Sequence, residues 1–226
     1  MPAFNEATQI QRCIRQVCTH VTQFCSSFEI VVSEDGSTDG TDKIVAELAK
    51  TDPTIVLLHS PNRLGKGKAI KNAVDAAKGR VVAFMDVDLA TDLDCLPKLY
   101  NVISEKGGMA IGSRHVKGAV VQRSATRTLF SLTFNLFVRI LFLDGVRDHQ
   151  CGFKTMSRSV AKAVLDKSKS DGYFFDTEMI VLCKKLGYPV TEVPVVWTEK
   201  NKGSKVNPYC DSTKILRDML RFRFSQ

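Results

Sequence analysis

The sequence predicts an α/β fold in which a mostly parallel sheet is flanked by helices. Short apolar runs of strand length alternate with segments whose apolar residues recur at helical spacing, which is typical of a parallel α/β sheet. Loops rich in glycine, serine and aspartate follow these runs and supply tight turns. In such sheets ligands bind beyond the carboxyl ends of the strands, so we expect functional side chains there.

The first half of the chain shows this alternation most clearly. A helix is predicted over residues 7–24, where Ile10, Cys13 and Val17 share one face. Thr41 or Asp39 is expected to cap the second helix. The remaining elements are a strand at 28–32, a helix at 42–50, a strand at 54–59, a glycine- and lysine-rich loop at 62–68, a helix at 69–78 and a strand at 81–85.

The second half is less regular. A strand at 109–114 precedes a long basic and hydrophobic segment at 115–147, and helices are predicted at 159–168, 174–186 and 212–224. A strand at 190–197 contains Pro194, which cannot donate to a neighbouring strand, so we expect this strand near a sheet edge. No internal repeat or linker interrupts the sequence, and we predict a single domain over residues 1–226.

Charge, cysteine content and hydropathy indicate which kinds of partner and which cellular compartment suit the protein. The net charge of +8 favours an anionic partner, which could be nucleic acid, a phosphorylated metabolite or an anionic membrane surface. Seven scattered cysteines without metal-ligand spacing favour a reduced, cytosolic compartment. We expect no signal peptide, and the longest apolar window, at 129–143, is too short and too polar to span a bilayer.

The strand at 81–85 ends in Asp86-Val87-Asp88, on which the functional prediction depends. Side chains alternate along a strand, so two carboxylates two residues apart point to the same side. Like charges held so close need a cation or a proton between them, and carboxylate oxygens suit Mg²⁺ or Mn²⁺, which also bind substrate phosphates. The motif therefore predicts a metal and diphosphate site, although a solvated acidic turn can carry the same tripeptide.

Eight short motifs run along the chain. Four of them are PAFNE at 2–6, EDGSTDGT at 34–41, DVD at 86–88 and GSR at 112–114. They occur in the order found in family 2 glycosyltransferases of the GT-A fold, a Rossmann-like α/β architecture, and the chain resembles that family over essentially its whole length. Four more are similar to the dolichyl-phosphate β-glucosyltransferases, with dolichyl-phosphate mannose synthases as close cousins: RSATR at 123–127, RDHQCGFK at 147–154, FDTE at 175–178 and WTEKNKGSK at 197–205.

The resemblance implies a role for each matching position. Asp86 and Asp88 would hold the metal and, through it, the diphosphate of a nucleotide-sugar donor. Arg114 would bind phosphate, and Lys200 and Lys205 would close over the donor from a mobile loop. The nucleotide-sugar pocket would further be lined by Pro2, Ala3, Phe4, Glu6, Val32, Glu34, Asp35, Lys66 and Val87.

The acceptor is expected to enter over residues 122–143. A helix there would place Arg123 and Arg127 on one face, able to converge on the phosphate of a polyprenyl lipid. The apolar window that follows is either a core helix or a helix lying in the membrane interface, with Arg139 snorkelling towards water. The second alternative predicts a peripheral protein on the cytoplasmic face of a membrane.

Three positions depart from the family pattern. Only Met1 stands where a strand normally precedes PAFNE, so either the chain lacks its first strand or its start is misassigned. Glu34 replaces the family's usual first aspartate and is one methylene longer. Ala90 stands where mannose synthases carry a third metal-facing glutamine, which leaves the metal to two aspartates, water and the donor and favours the glucosyl branch.

These features predict a metal-dependent inverting glycosyltransferase that moves a hexose, glucose from UDP-glucose, to dolichyl or polyprenyl phosphate, for protein glycosylation or cell-envelope glycan synthesis. An acceptor phosphate is already anionic and nucleophilic, so no dedicated general base is expected. The Gly65–Lys68 loop lacks the spacing of a P-loop and is interpreted as an ordinary loop near the donor.

Two alternatives stay open. The first is a mannosyltransferase that uses GDP-mannose. The second is a basic nucleic-acid-binding module, suggested by the charge alone; against it, the acidic residues concentrate at strand ends and no recognised nucleic-acid motif is present.

Overall fold

The computed structural model describes residues 1–200 and 210–224, with side chains for all of these except 210–213. The first half alternates strands and helices as predicted: β1 (Pro2–Ala3), α1 (Ile10–Val21), β2 (Ile30–Asp35), α2 (Thr41–Thr51), β3 (Ile55–Ser60), α3 (Lys66–Ala76), β4 (Val81–Phe84), α4 (Leu96–Lys106) and β5 (Met109–Ser113). Two of these elements, β1 and α4, were not predicted from the sequence. The second half contains β6 (Val120–Gln122), α5 (Ala125–Phe142), β7 (Lys154–Ser157), α6 (Arg158–Leu165), α7 (Phe175–Lys185), β8 (Val190–Pro194), β9 (Val196–Thr198) and α8 (Cys210–Phe224).

The described strands form a mixed but mostly parallel arrangement, which confirms the predicted class. One sheet has the order β1-β2-β3 and is parallel throughout. A second has the order β4-β7-β5-β8, in which β7 runs antiparallel to both of its neighbours and β8 lies at the edge, as Pro194 predicted. A short parallel pair, β6-β9, completes the set.

Three local features differ from the sequence prediction. β2 continues through Glu34 to Asp35 with all six residues buried, so the strand does not stop where the charges begin. α3 begins at Lys66, so the glycine- and lysine-rich loop is partly the first turn of this helix. The residue before the second helix is Gly40 in a left-handed conformation, and Asp39 instead accepts hydrogen bonds from the backbone N–H and the hydroxyl of Thr41.

β7 was missed altogether. Its four residues, Lys-Thr-Met-Ser, contain a single apolar side chain and read as part of a polar loop. In the sheet they lie between β4 and β5, where Lys154 and Thr155 are buried. A lysine in a central strand is tolerated because the buried carboxylate of Asp176 pairs with it.

Beyond β1, an apolar groove of about 950 Å³ separates β2 from β4. Ile30 and Val31 line one side of this groove and residues 81–84 line the other. Met1 also lines it. β1 itself has only two residues, which pair with Ser33 and Glu34.

Helix α5 lies on the surface and not in the core. Asn135 and Val138 are its buried residues, whereas Phe130 is 76% exposed and Ile140 is 66% exposed. Leu129, Leu132 and Leu136 are exposed as well. The core-helix interpretation of the apolar window is therefore wrong. Within the described part of the chain, none of the helices has the length and hydropathy needed to cross a bilayer.

Candidate active site

A cavity of about 680 Å³ opens where β1, β2 and β4 end. Its wall brings together residues that are far apart in the sequence, from Pro2 to Asp218. The predicted site residues that line it are Pro2, Ala3, Phe4, Glu6, Asp35, Lys66, Asp86, Val87, Asp88, Arg127 and Lys200. The position of this cavity agrees with the rule that ligands bind beyond the carboxyl ends of parallel strands.

Asp86 and Asp88 face this cavity from the loop that follows β4. The backbone turns sharply there, because Leu89 has a left-handed conformation with φ of 48° and the N–H of Ala90 donates to Oδ1 of Asp88 at 3.0 Å. Burial raises the pKa of Asp88, and the neighbouring charges of Asp86 and Glu6 raise it further. The two carboxylates line the same cavity, but β4 ends at Phe84, so they do so from the turn after the strand and not by strand alternation.

The carboxylate oxygens of Asp86 and Asp88 suit a divalent cation that is also coordinated by a bound ligand. Carboxylate oxygens are hard donors, and the mutual repulsion at Asp88 is the electrostatic condition that a cation relieves. Among the described residues no group of three or more His, Cys, Asp or Glu side chains is arranged to hold a metal. Asp86 and Asp88 would therefore supply two ligands, and a diphosphate and water the rest.

Lys66 reaches the cavity from the first turn of α3. Its Nζ lies 3.0 Å from Oδ1 of Asp86 and 3.0 Å from Oδ2 of Asp176. Burial by itself would lower the pKa of Lys66, but the carboxylates of Asp176 and Asp86 outweigh burial and raise it. Lys66 is therefore a fixed positive charge beside the predicted metal ligands.

Arg114 does not line the main cavity. Its guanidinium is buried in a bidentate pair with Asp148, at 2.7 and 2.8 Å, and its backbone N–H also donates to Asp148. Burial tends to raise the pKa of Asp148, but the Arg114 charge holds it well below the ordinary carboxyl range. Arg114 instead borders a smaller adjoining cavity of about 110 Å³, which Asp86 and Asp88 also line.

Arg123 and Arg127 are not neighbours on one helical face, so that prediction is wrong. α5 begins at Ala125, with Ser124 as its N-cap, and Arg123 lies ahead of the helix. The Arg123 guanidinium lies 5.8 Å from the ring centroid of Trp197, and Arg114 lies 5.6 Å from the same ring. Arg127 does line the main cavity, where it pairs with Glu199.

Two predicted nucleotide-sugar contacts, Val32 and Glu34, lie away from the cavity, and a third falls on a residue that the structure does not describe. Val32 is fully buried in the core, and it does not line the cavity. Glu34 is buried as well, and its carboxylate accepts from the N–H of Ser37 at 2.5 Å and contacts Nδ1 of His59 at 2.6 Å. Lys205 lies outside the described residues. Strand alternation explains Val32 and Glu34, because residues two apart point to one side of β2 and here that side is the core.

Several cavity residues had no role in the sequence prediction. Arg63 stacks over Phe4 with its guanidinium 4.0 Å from the ring centroid. Asp176, Trp197 and Glu199 lie inside the quoted motifs without an assigned role, and Gln150 donates to the hydroxyl of Thr177 at 2.9 Å. Only long-range packing brings these side chains to one cavity, so no local spacing could have indicated them.

The charge of the cavity wall points to the kind of ligand. Among the described residues, seven acidic and five basic side chains line it. Because the wall carries an acidic excess, a diphosphate would bind poorly there without an accompanying cation. None of the four histidines, all of which are described, lies in this wall.

Fold and site together describe an α/β protein with a charged pocket at its strand ends, where two carboxylates could hold a divalent cation. The sequence pattern of the family described as Glycosyl transferase family 2 matches residues 1–165. The chain belongs to this family, which confirms the resemblance found in the sequence motifs.

Named relatives agree with this assignment. The chain is 38% identical over 203 residues to Glycosyltransferase AglD of Haloferax volcanii, covering 88% of this chain but 32% of that protein. It is 31% identical over 238 residues to the dolichyl-phosphate beta-glucosyltransferase of Dictyostelium discoideum, covering 99% of this chain and 72% of the relative. The Mus musculus protein of the same name is 30% identical over 239 residues, with 99% and 73% covered. The chain thus spans about a third of the length of AglD.

Solved structures confirm the fold. Glucosyl-3-phosphoglycerate synthase from Mycobacterium tuberculosis, crystallised with Mn²⁺, uridine diphosphate and glucosyl-3-phosphoglycerate, superposes with a TM-score of 0.68 at 20% identity, covering 99% of this chain and 78% of that one. A mycobacterial protein of unspecified activity gives a TM-score of 0.72 at 18% identity, with 99% and 73% covered. At this identity the likeness concerns the fold alone.

Proposed function

We propose that this chain transfers glucose from UDP-glucose to dolichyl phosphate or a related polyprenyl phosphate, with Mg²⁺ or Mn²⁺ at Asp86 and Asp88. The observation that carries the proposal is a single cavity lined by both aspartates and by Arg127, which lies in the first turn of the exposed apolar helix α5. A charged reaction centre thus adjoins a surface suited to a lipid. The names of the Dictyostelium and mouse relatives support the same acceptor and sugar.

The donor end of the cavity is the side formed by β1, Arg63 and α3. The stacked pair of Phe4 and Arg63 offers a flat face against which a nucleobase can pack. Lys66 and Lys200 supply positive charge for the diphosphate from opposite parts of the sequence. A divalent cation bound by Asp86 and Asp88 would stabilise the negative charge that builds up on the leaving diphosphate.

The transfer itself needs few protein groups. An oxygen of the acceptor phosphate attacks the anomeric carbon, and the bond from that carbon to the β-phosphate oxygen of the donor breaks. The electron pair of the broken bond leaves with the nucleoside diphosphate, and we expect inversion at the anomeric carbon. The acceptor oxygen is already deprotonated, so no proton has to move, in keeping with a cavity wall without histidine.

Arg127 is the proposed anchor for the acceptor phosphate. It lines the cavity and pairs with Glu199 on the stretch that follows β9. Among the described residues Glu199 is the ion-pair partner of Arg127, and the Arg127 side chain is 43% exposed, so the guanidinium can turn to an entering phosphate. We propose that the exposed apolar side chains of α5 meet the membrane surface and that the protein is peripheral, on the cytoplasmic face.

A donor screen tests this function. The purified protein is incubated with Mn²⁺ and a short polyprenyl phosphate, and UDP-glucose is compared with GDP-mannose under identical conditions. We expect preferential transfer from UDP-glucose; equal or faster transfer from GDP-mannose would replace the glucosyl assignment by a mannosyl one. If neither donor yields a glycolipid, the proposed acceptor is wrong.

A further inference from the structure

The glycine- and lysine-rich motif at 65–68 has a structural purpose that its sequence did not reveal. Gly65 and Gly67 pack directly against the segment that precedes α7. A Cβ atom on Gly65 would lie 2.4 Å from the carbonyl oxygen of Asp171, and one on Gly67 would lie 2.7 Å from that of Ser170. Both glycines therefore allow the first turn of α3 to approach this segment closely.

The close approach brings Lys66 to a buried carboxylate on α7. Asp176 contacts Nζ of Lys66 at 3.0 Å and Nζ of Lys154 at 2.5 Å, and Lys154 also donates to the carbonyl oxygen of Cys151 at 2.6 Å. The side chains of Asp176 and Lys154 are almost completely buried. Lys154, Asp176, Lys66 and Asp86 thus form a row of alternating charges that ends in the cavity.

A third glycine lies against the last member of this row. A Cβ on Gly152 would lie 1.9 Å from Oδ2 of Asp86, so a larger residue there would displace that carboxylate from its present position. Glycines from two separate motifs of the sequence, at 65–68 and 147–154, therefore leave room for the same contact, the one between Lys66 and Asp86.

This contact has an electrostatic consequence. Asp176 is shared between Lys66 and Lys154, so one carboxylate does not offset both ammonium groups, and Lys66 also acts on Asp86 at 3.0 Å. A divalent cation that approached Asp86 and Asp88 alone would be repelled by the nearby ammonium group. A diphosphate brings negative charges and oxygen ligands that offset this repulsion and give Lys66 a second partner.

We propose that Lys66, held in place by Asp176, is a positioning residue that occupies Asp86 before the donor arrives and makes divalent-cation binding depend on the nucleoside diphosphate. This inference rests on the proposed function, since it takes Asp86 and Asp88 as the cation site. Its effect is that the donor and the cation bind together.

The test measures Mn²⁺ binding by electron paramagnetic resonance, with and without UDP or GDP, after subtraction of Mn²⁺ bound to free nucleotide. The wild-type protein is expected to bind Mn²⁺ weakly alone and at least about tenfold more tightly with nucleotide. Lys66→Met and Lys66→Gln remove the charge, and each is expected to bind Mn²⁺ alone about tenfold more tightly and to lose most of the coupling. Asp176 keeps Lys154 as its partner in both variants, so we expect both to fold.

Two further variants serve as controls. Lys66→Arg keeps the positive charge and is expected to retain the coupling within about threefold. Lys68 is an exposed residue two positions further along the same helix. Lys68→Met is expected to match the wild type in Mn²⁺ affinity and in its coupling to nucleotide. Thermal unfolding of each variant separates a change in binding from a loss of the fold.

Each outcome decides between the alternatives. Unchanged Mn²⁺ affinity and coupling in both neutral variants would overturn the proposal and leave the metal site standing. The same holds if the wild type binds Mn²⁺ equally well without nucleotide. If the wild type binds no Mn²⁺ with either nucleotide, the inference and the proposed metal dependence both fail.

Discussion

The side-chain oxygen of Asn135 accepts a hydrogen bond from the backbone N–H of His149 at 2.9 Å and lies 3.1 Å from Nδ1 of the same residue. Nδ2 of Asn135 donates to the carbonyl oxygen of Ser131 at 2.9 Å, which fixes the orientation of the amide. Next to His149, Asp148 holds Arg114 beside the smaller cavity. This polar contact therefore joins the exposed helix α5 to the segment that positions a buried arginine.

Asn135→Leu is expected to loosen this junction. The variant leaves the N–H of His149 buried and unpaired, which costs about 1–3 kcal/mol of unfolding free energy. Urea unfolding at neutral pH measures the change. Thr133→Ala, on an exposed position of the same helix, is the matched control and should change stability little. Equal stability of Asn135→Leu and the wild type would show that the contact contributes nothing.

Asp148→Asn tests the buried ion pair with Arg114. The variant leaves a buried guanidinium without its counter-charge, and we expect a loss of roughly 3–5 kcal/mol of unfolding free energy at pH 7. Asp94→Asn removes an exposed carboxylate, 82% accessible, and should have little effect. A comparable loss in both variants would contradict a specific role for the buried pair.

The same pair predicts how stability depends on pH. The pKa of Asp148 is held below its unfolded value, so its stabilisation is fully present above the ordinary carboxyl range and is lost as the pH falls through the lowered value. The wild type should therefore lose stability more steeply than Asp148→Asn below about pH 4. Urea unfolding at a series of acidic pH values measures both slopes, and parallel slopes would contradict the assignment.

The order of elements and the pair of aspartates could be predicted from the sequence because their signals are local. Apolar runs and helical spacing span a few residues, and the position of Asp86 and Asp88 follows from the end of one strand. Asp176 carries no such signal, since its importance depends on Lys66, more than a hundred residues away in the chain. The same holds for β7, a polar segment that becomes a central strand only because its neighbours enclose it.

The placement of the arginines shows a second limit. Spacing suggested that Arg123 and Arg127 share a helical face, but Ser124 caps α5 and Arg123 falls outside the helix. Helix starts move by a few residues for small differences in capping energy, so spacing arguments near a helix end are fragile. For α5 the sequence left two alternatives, and its exposed side chains exclude the core helix, while the membrane-interface helix stays a prediction.

Metal dependence is tested by Asp88→Asn. If Asp88 helps to hold the cation that carries the diphosphate, turnover should fall at least about a hundredfold, which corresponds to about 2.7 kcal/mol of transition-state stabilisation. EDTA should abolish wild-type activity, and Mn²⁺ or Mg²⁺ should restore it. Asp75→Asn, an exposed position on α3, serves as the control. Full activity in EDTA would exclude the metal site.

Arg127→Ala tests the proposed acceptor anchor. Because Arg127 lines the cavity from the first turn of α5, its loss should raise the KM for polyprenyl phosphate or lower turnover, while nucleotide-sugar affinity stays nearly constant. Arg139→Ala removes an exposed arginine from the same helix outside the cavity and should leave both parameters unchanged. If Arg127→Ala weakens donor binding as much as lipid use, the arginine serves the donor instead.

The exposed face of α5 predicts where the protein meets a membrane. Phe142 is unsuitable for testing this surface, because its ring packs against Phe174 and Phe222 with centroids 6.5 and 5.9 Å away. Phe130 and Ile140 are better targets, since both side chains are largely exposed and their replacement should not disturb the core.

Phe130→Glu combined with Ile140→Glu should release the protein from anionic liposomes in a flotation assay. Each apolar side chain contributes roughly 1.5–3 kcal/mol when it leaves water for the membrane interface, and each new carboxylate is repelled by anionic lipid. Gln11→Glu combined with Thr19→Glu adds the same two charges to exposed positions of α1 and should leave liposome binding largely intact, which separates the apolar contribution from the electrostatic one. Thermal unfolding should show both double variants folded. Equal release by the two pairs would mean that charge alone holds the protein to the membrane, and undiminished binding of the α5 variant would place the docking surface elsewhere.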